Sequence, residues 1–182
     1  MERCRLVFSG SGGQGVVTAA IILAESAVLY EGLIAVQSQS YGPEARGGAT
    51  RSEVIISESE IFFPKVTQPN VLVCLTQEAY NKFYAITRPG GILITDNYYV
   101  ETWKKVDSRQ IELPIYQTVM QKIGKPIVLN ICMLGAVIGI THLVKPESIM
   151  KTLKTRINPE FLSMNQEALE LGMDLAKDFA LD

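Results

Sequence analysis

The sequence is poor in the residues that build metal centres and covalent frameworks. Its 182 residues include only three cysteines and a single histidine. Cys4, Cys74 and Cys132 are far apart, odd in number and outside any Cys-x-x-Cys pair. That spacing argues against a disulfide framework, a zinc site and an iron–sulfur cluster alike. Cys74 and Cys132 both sit in apolar runs, where a reduced thiol behaves as a small hydrophobe. His142 closes an apolar stretch and reads as a helix-end residue. No Ser-His-Asp or Cys-His arrangement and no acid pair with an evident proton-transfer role is visible, so no catalytic residue and no metal ligand is assigned.

Charge of one sign is missing too. Seventeen basic against nineteen acidic side chains leave a formal net charge of -2, which removes the electrostatic case for a nucleic-acid partner. The longest apolar stretch, residues 127–143, is interrupted by Asn130, Gly135, Gly139, Thr141 and His142. It makes a poor membrane span and a good buried helix. The first residues do not look like a secretory signal. A soluble cytoplasmic protein with no membrane partner is the expectation. With 47% hydrophobic and 20% charged residues the chain can close a core, and its length suits a single domain over residues 1–182.

What is present is an alternation of short apolar runs and amphipathic stretches. Leu6-Val7-Phe8 reads as a buried strand that ends in glycines, and residues 14–29 as a helix stopped by Gly32. Residues 33–37 return to strand, completing a βαβ opening. Residues 38–50 lack a periodic apolar face and read as a long loop. Residues 53–57 and 61–63 read as two strands joined by a turn, a β-hairpin insertion over residues 53–63. Strands follow at 71–75 and 92–95, with helices at 78–87 and near 116–123. The end is helical over 131–142, 146–153 and 159–179, the last two starting with Pro in the first turn. The fold class expected is α/β: a single Rossmann-like domain with a mainly parallel sheet, the hairpin insertion and a helical C-terminal region.

Two glycine-rich elements carry the polar chemistry. Gly10-Ser11-Gly12-Gly13-Gln14-Gly15 satisfies Gly-x-Gly-x-x-Gly between a strand and a helix. Glycines there let the backbone approach an anion, and the free N–H groups of the helix start point at it. An ordinary dinucleotide site would add an acid near the end of the second strand. Here that region reads Val36-Gln37-Ser38-Gln39, and no Lys-Ser or Lys-Thr follows the glycines, which disfavours NAD and nucleoside triphosphates. The second element, Ser40-Tyr41-Gly42-Pro43-Glu44-Ala45-Arg46-Gly47-Gly48, leaves the carboxyl end of the second strand on the same edge. Arg46 is suited to grip a phosphate or carboxylate through two parallel hydrogen bonds. A ligand-binding edge without reaction machinery reads as part of a larger enzyme; the alternative is a free-standing Rossmann-like nucleotide-binding module or small NAD-linked reductase.

The two elements in this order, with Arg51 to Ser57, Pro89-Gly90-Gly91, Asn130 and Leu134-Gly135, resemble the gamma subunit of the 2-oxoacid:ferredoxin oxidoreductases. The form Ser-Tyr-Gly-Pro-Glu-Ala-Arg-Gly-Gly is similar to the 2-oxoglutarate branch, whereas the pyruvate branch usually carries a Phe-rich loop with consecutive arginines. The resemblance implies an enzyme that oxidatively decarboxylates a 2-oxoacid with coenzyme A, yielding an acyl-CoA, carbon dioxide and reduced ferredoxin. It implies that thiamine diphosphate and the iron–sulfur clusters reside on partner subunits, since neither a thiamine-type Gly-Asp-Gly motif nor cluster cysteines occur here. The implied partners are alpha and beta subunits, with a delta subunit as a further candidate, and ferredoxin through the complex. The isolated chain is expected to be inactive, to hold no cofactor tightly and to expose an apolar interface. The binding residues carried over, with coenzyme A as the implied ligand, are Gly10, Gly12, Gly13, Gln14, Gly15, Ser40, Tyr41, Gly42, Pro43, Glu44, Arg46, Gly47 and Gly48.

Overall fold

Leu6, Val7 and Phe8 are wholly buried, with Leu6 and Phe8 facing one core cluster and Val7 the other. A strand covered on both faces has no need for a polar alternation, which is why it reads as a continuous apolar run. The computed structural model describes residues 3–40 and 48–181. In it, strand β1 (Cys4–Gly10) lies inside a six-stranded sheet with β2 (Ile34–Ser40), β3 (Thr50–Ser57), β4 (Val71–Cys74), β5 (Gly91–Asp96) and β6 (Ser108–Leu113), ordered β2-β3-β1-β4-β5-β6. β1, β4, β5 and β6 are parallel neighbours, and β3 runs antiparallel to both β1 and β2.

The antiparallel pairing therefore exists but not where the sequence suggested. Residues 61–63 form no strand, so the hairpin over 53–63 is corrected: β3 turns back against β2, and the long loop at its head is the hairpin connection. Residues 38–40 and Thr50, expected in that loop, and residues 51–52 after it extend the two strands. Polar side chains hid this, because edge strand β2 has one side open and needs few apolar residues.

Residues 58–70 form an irregular strap across the face of β3 instead. Val66 is buried beside Val7 and Ile55 and fastens the strap. Its N–H donates to Glu53 Oε2 at 2.8 Å, its carbonyl accepts from Arg51 Nη2 at 2.5 Å, and Arg51 and Glu53 pair at 2.8 Å. The short helix α2 (Gln77–Phe83), capped by the Thr76 hydroxyl, completes this thinner layer.

The other face carries α1 (Val16–Tyr30), α3 (Ile115–Lys122), α4 (Leu129–Thr141), α5 (Pro146–Arg156) and α6 (Pro159–Ala176). α4 is buried almost all round, the outcome expected for the interrupted apolar stretch. It ends at His142, which adopts the left-handed conformation (φ 51°) as the helix cap. α4 and α6 cross with their backbones in contact at Gly135 and Gly172, where a Cβ on Gly172 would lie 1.8 Å from the Cys132 carbonyl oxygen. No helix of the described residues is long and apolar enough to cross a membrane.

At the end of β5, Asp96 is fully buried and holds the chain at the sheet's carboxyl edge. Its Oδ1 accepts from Tyr98 N at 3.1 Å and its Oδ2 from Tyr116 N, in the first turn of α3, at 2.9 Å. Burial pushes the Asp96 carboxyl above its ordinary range against the opposing pull of those two donors. The folded state then binds more protons than the unfolded one between the two pKa values, so stability falls as pH rises through that window. Asp96→Asn should flatten this slope in thermal melts run from about pH 4 to about pH 7. At neutral pH it should cost about 1 kcal/mol, because the amide nitrogen cannot accept the second N–H. An unchanged slope would assign the pH dependence to other carboxylates.

Candidate functional site

β1 and β2 point the same way, so the glycine loop and the second loop root on one edge of the sheet. Their roots are tied together by Thr50, the first residue of β3. Thr50 Oγ1 donates to the Gly10 carbonyl and Ser9 Oγ donates to the Thr50 carbonyl, both at 2.8 Å. Ser40 is the last residue of β2 and pairs with Arg51, while Gly48 immediately precedes the buried Ala49. Tyr41, Gly42, Pro43, Glu44, Arg46 and Gly47 lie outside the described residues.

The loop itself has a definite internal architecture. Gln14 does not reach outward: its Oε1 accepts from Ser11 N at 2.8 Å and its Nε2 donates to the Leu75 carbonyl at 3.4 Å. Gly10 leaves room for it: a Cβ there would sit 2.4 Å from Gln14 Oε1 and displace the amide from this position. Gln14 is thus a clip between the ends of β1 and β4. That is the point where the following helices diverge, α1 to one face and α2 to the other, and such switch points are where open α/β sheets bind ligands.

Gly13 and Gly15 hold left-handed backbone at φ 90° and 72°. Gly15 caps α1 with no side chain over the helix start, so the first-turn N–H groups carry no side-chain cap. Behind it stands Asn130 from the first turn of α4, donating from Nδ2 to the Gly15 carbonyl at 3.3 Å. Gly12 differs from its neighbours: an added Cβ would touch nothing within 4 Å among the described residues. The fold does not require glycine there.

A cavity of about 470 Å³ opens beside the loop, with Gly13, Gly15, Thr18 and Asn130 on its polar side and Ile127, Phe161 and Met164 on its apolar side. Lys125 lines it too and is exposed. The sequence reading missed Lys125, Thr50 and the apolar wall. They come from distant segments whose only local signals, such as the Lys-Pro pair at 125–126, mark a turn.

The chemistry of the thiols is inert. Burial pushes Cys4 and Cys132 each up to about 12, and raises Cys74 further. Among the described residues no group of three or more His, Cys, Asp or Glu could hold a metal ion.

A family model, pyruvate ferredoxin/flavodoxin oxidoreductase, matches residues 5–175. The chain belongs to this family. Within it the chain is of the gamma-subunit type. It is 42% identical over 178 residues to the 2-oxoglutarate synthase subunit KorC of Methanocaldococcus jannaschii, covering 97% of this chain and 95% of that one. The crystal structure of a keto/oxoacid ferredoxin oxidoreductase gamma subunit from Geobacter sulfurreducens superposes with a TM-score of 0.86 at 40% identity, over 95% and 98% of the two chains. A 2-oxoglutarate:ferredoxin oxidoreductase from Magnetococcus marinus, solved with 2-oxoglutarate, coenzyme A and succinyl-CoA bound, shares the fold at a TM-score of 0.87 and 20% identity. There the match covers 98% of this chain but 32% of the other. These relatives favour an oxidoreductase subunit over the free-standing reductase considered from the sequence.

Proposed function

We propose that this gamma-type chain, one domain over residues 1–182, serves a cytoplasmic 2-oxoglutarate:ferredoxin oxidoreductase and presents coenzyme A to it. The observation that carries this reading is the shared carboxyl edge: an uncapped start of α1 behind the glycine loop, tied through Thr50 to the root of the loop that carries Arg46. Phosphate oxygens suit the free N–H groups and the open approach at Gly12. The apolar wall of the adjoining cavity suits an aliphatic arm, and Lys125 adds positive charge. Thiamine diphosphate, which supplies the carbanion chemistry, and the clusters that carry electrons belong to alpha and beta partner subunits in this reading. The role of this chain is then to bind and orient an anionic thioester carrier. The choice of 2-oxoglutarate rests on the likeness to KorC.

Arg46 is assigned the anion clamp. In the reconstituted complex, Arg46→Ala should weaken coenzyme A binding by about 1.5–3 kcal/mol, one charge-assisted hydrogen bond. Arg46→Lys should recover only part of it, because an ammonium cannot form the two parallel bonds. Titration calorimetry with coenzyme A, alongside native mass spectrometry of assembly, separates ligand from interface. Unchanged affinity with weakened assembly would make Arg46 an interface residue.

A further inference from the structure

The buried face of α6 carries one side chain out of character. It runs Asn165, Ala168, Leu169, Gly172 and Ala176 at helical spacing, and only the first of these is polar. Asn165 is 6% exposed, and burying an amide with a bonding group left unpaired costs stability. Its Nδ2 donates to the Phe161 carbonyl at 2.8 Å, four residues back in the same helix. Such a bond does nothing to hold α6 against its neighbours. A leucine would continue the stripe.

Asn165 lines the cavity beside the glycine loop, and so does Asn130, which is 7% exposed. The two stand on different helices, α6 and α4, yet bond in the same way. Each spends its Nδ2 on a backbone carbonyl, Phe161 for one and Gly15 for the other, which fixes the orientation of the amide. Each leaves its Oδ1 without a donor among the described residues, and neither oxygen is sealed from solvent. Ile131, Ile157 and Met164 make the surrounding wall apolar. Two separate acceptors in apolar surroundings suit a ligand segment that brings two separate N–H donors on an aliphatic chain.

We infer that Asn130 and Asn165 receive the amide N–H groups of the pantetheine arm of coenzyme A, which makes this cavity the arm subsite and Asn165 a specificity-determining residue. This rests on the coenzyme A reading above. Phosphates do not suit this wall, because a carbonyl oxygen repels an anionic one; they belong at the uncapped start of α1. An adenine ring fits poorly as well. Its edge sets a donor amine beside ring-nitrogen acceptors, which the asparagine oxygens repel. The arm instead carries two secondary amides spaced along an aliphatic chain, one N–H for each acceptor.

The test uses the assembled complex and two probes titrated by calorimetry: coenzyme A, and its phosphorylated ADP half, which lacks the arm. Asn165→Leu cannot accept a hydrogen bond and should weaken coenzyme A binding about 3- to 10-fold, leaving the armless nucleotide within about twofold of the wild type. Its melting temperature should stand at or above that of the wild type. A purely structural asparagine would instead lower the melting temperature and spare both affinities. Met164→Trp, on the apolar wall, obstructs the same cavity with both asparagines in place and should remove the advantage of coenzyme A over the armless nucleotide. Unchanged coenzyme A affinity in either variant, or an equal loss for both probes, would overturn the arm subsite and leave the coenzyme A reading standing. A wild-type complex that binds no coenzyme A would overturn that reading, and the subsite with it.

Discussion

Gly172→Ala is expected to cost about 3 kcal/mol or more, lowering the melting temperature by about 6–12 °C for a chain of this size. The added Cβ would stand 1.8 Å from the Cys132 carbonyl oxygen and 2.8 Å from Ala136 N. Both atoms belong to the backbone of α4, so no side-chain rotation relieves the overlap. α4 cannot retreat either, because it is buried almost all round. The two helices must separate, and the close packing around them opens. Gly139→Ala is the built-in control. Its Cβ would meet Ala176 Cβ at 3.0 Å and Met173 Cα at 3.3 Å, a contact that a small shift accommodates. Helix propensity gives back about 1 kcal/mol at that position, so a near-zero change is expected. Differential scanning calorimetry of the two variants decides it. Equal effects would mean that the crossing is looser than the backbone contact implies.

Gly15→Ala should lose about 3 kcal/mol of stability and the ligand site together. Part of the loss is the left-handed backbone, φ 72°, which costs an alanine about 1–2 kcal/mol. The rest is collision, since the Cβ would lie 2.6 Å from Asn130 Nδ2 and 2.8 Å from its Cγ. Asn130 would be driven off the start of α1, and the hydrogen bond that seats Gly15 would break. Gly12→Ala probes the same loop without that damage. It meets nothing among the described residues and should change stability by less than about 0.5 kcal/mol. If coenzyme A phosphates approach there, it should still weaken binding by about tenfold or more, one charge-assisted hydrogen bond. Chemical denaturation and coenzyme A titration on both variants give a two-by-two outcome. A Gly12→Ala protein with wild-type affinity would move the anion elsewhere on the edge.

The contrast between Gly12 and Gly15 shows what the motif alone could and could not say. Both fit Gly-x-Gly-x-x-Gly equally well, yet one is demanded by the fold and the other is not. That distinction depends on Asn130, 115 residues away, packing beneath Gly15. Gln14 makes the same point. In the sequence it stands among the binding residues, but in the structure its amide is spent on Ser11 and Leu75. A side chain's reach is legible from its type; its direction is set by neighbours that folding delivers.

Local signals were enough wherever a segment's environment is uniform. The strand at Leu6 to Phe8, the largely apolar α4, the proline-started α5 and α6 and the strand–glycine–helix opening follow from hydrophobic pattern and terminus chemistry, which act over a few residues. The family is readable for a related reason: its two glycine elements are each contiguous. Tertiary structure alone decided the rest. It moved the antiparallel turn from residues 53–63 to the β2–β3 connection, because strand pairing is a choice between distant partners of similar propensity. It also fastened the strap at Val66 and tied the backbones of two separate segments, at Tyr98 and Tyr116, to the one Asp96 carboxylate. Each of these depends on which faces meet when the sheet closes, and no window of neighbouring residues carries that information.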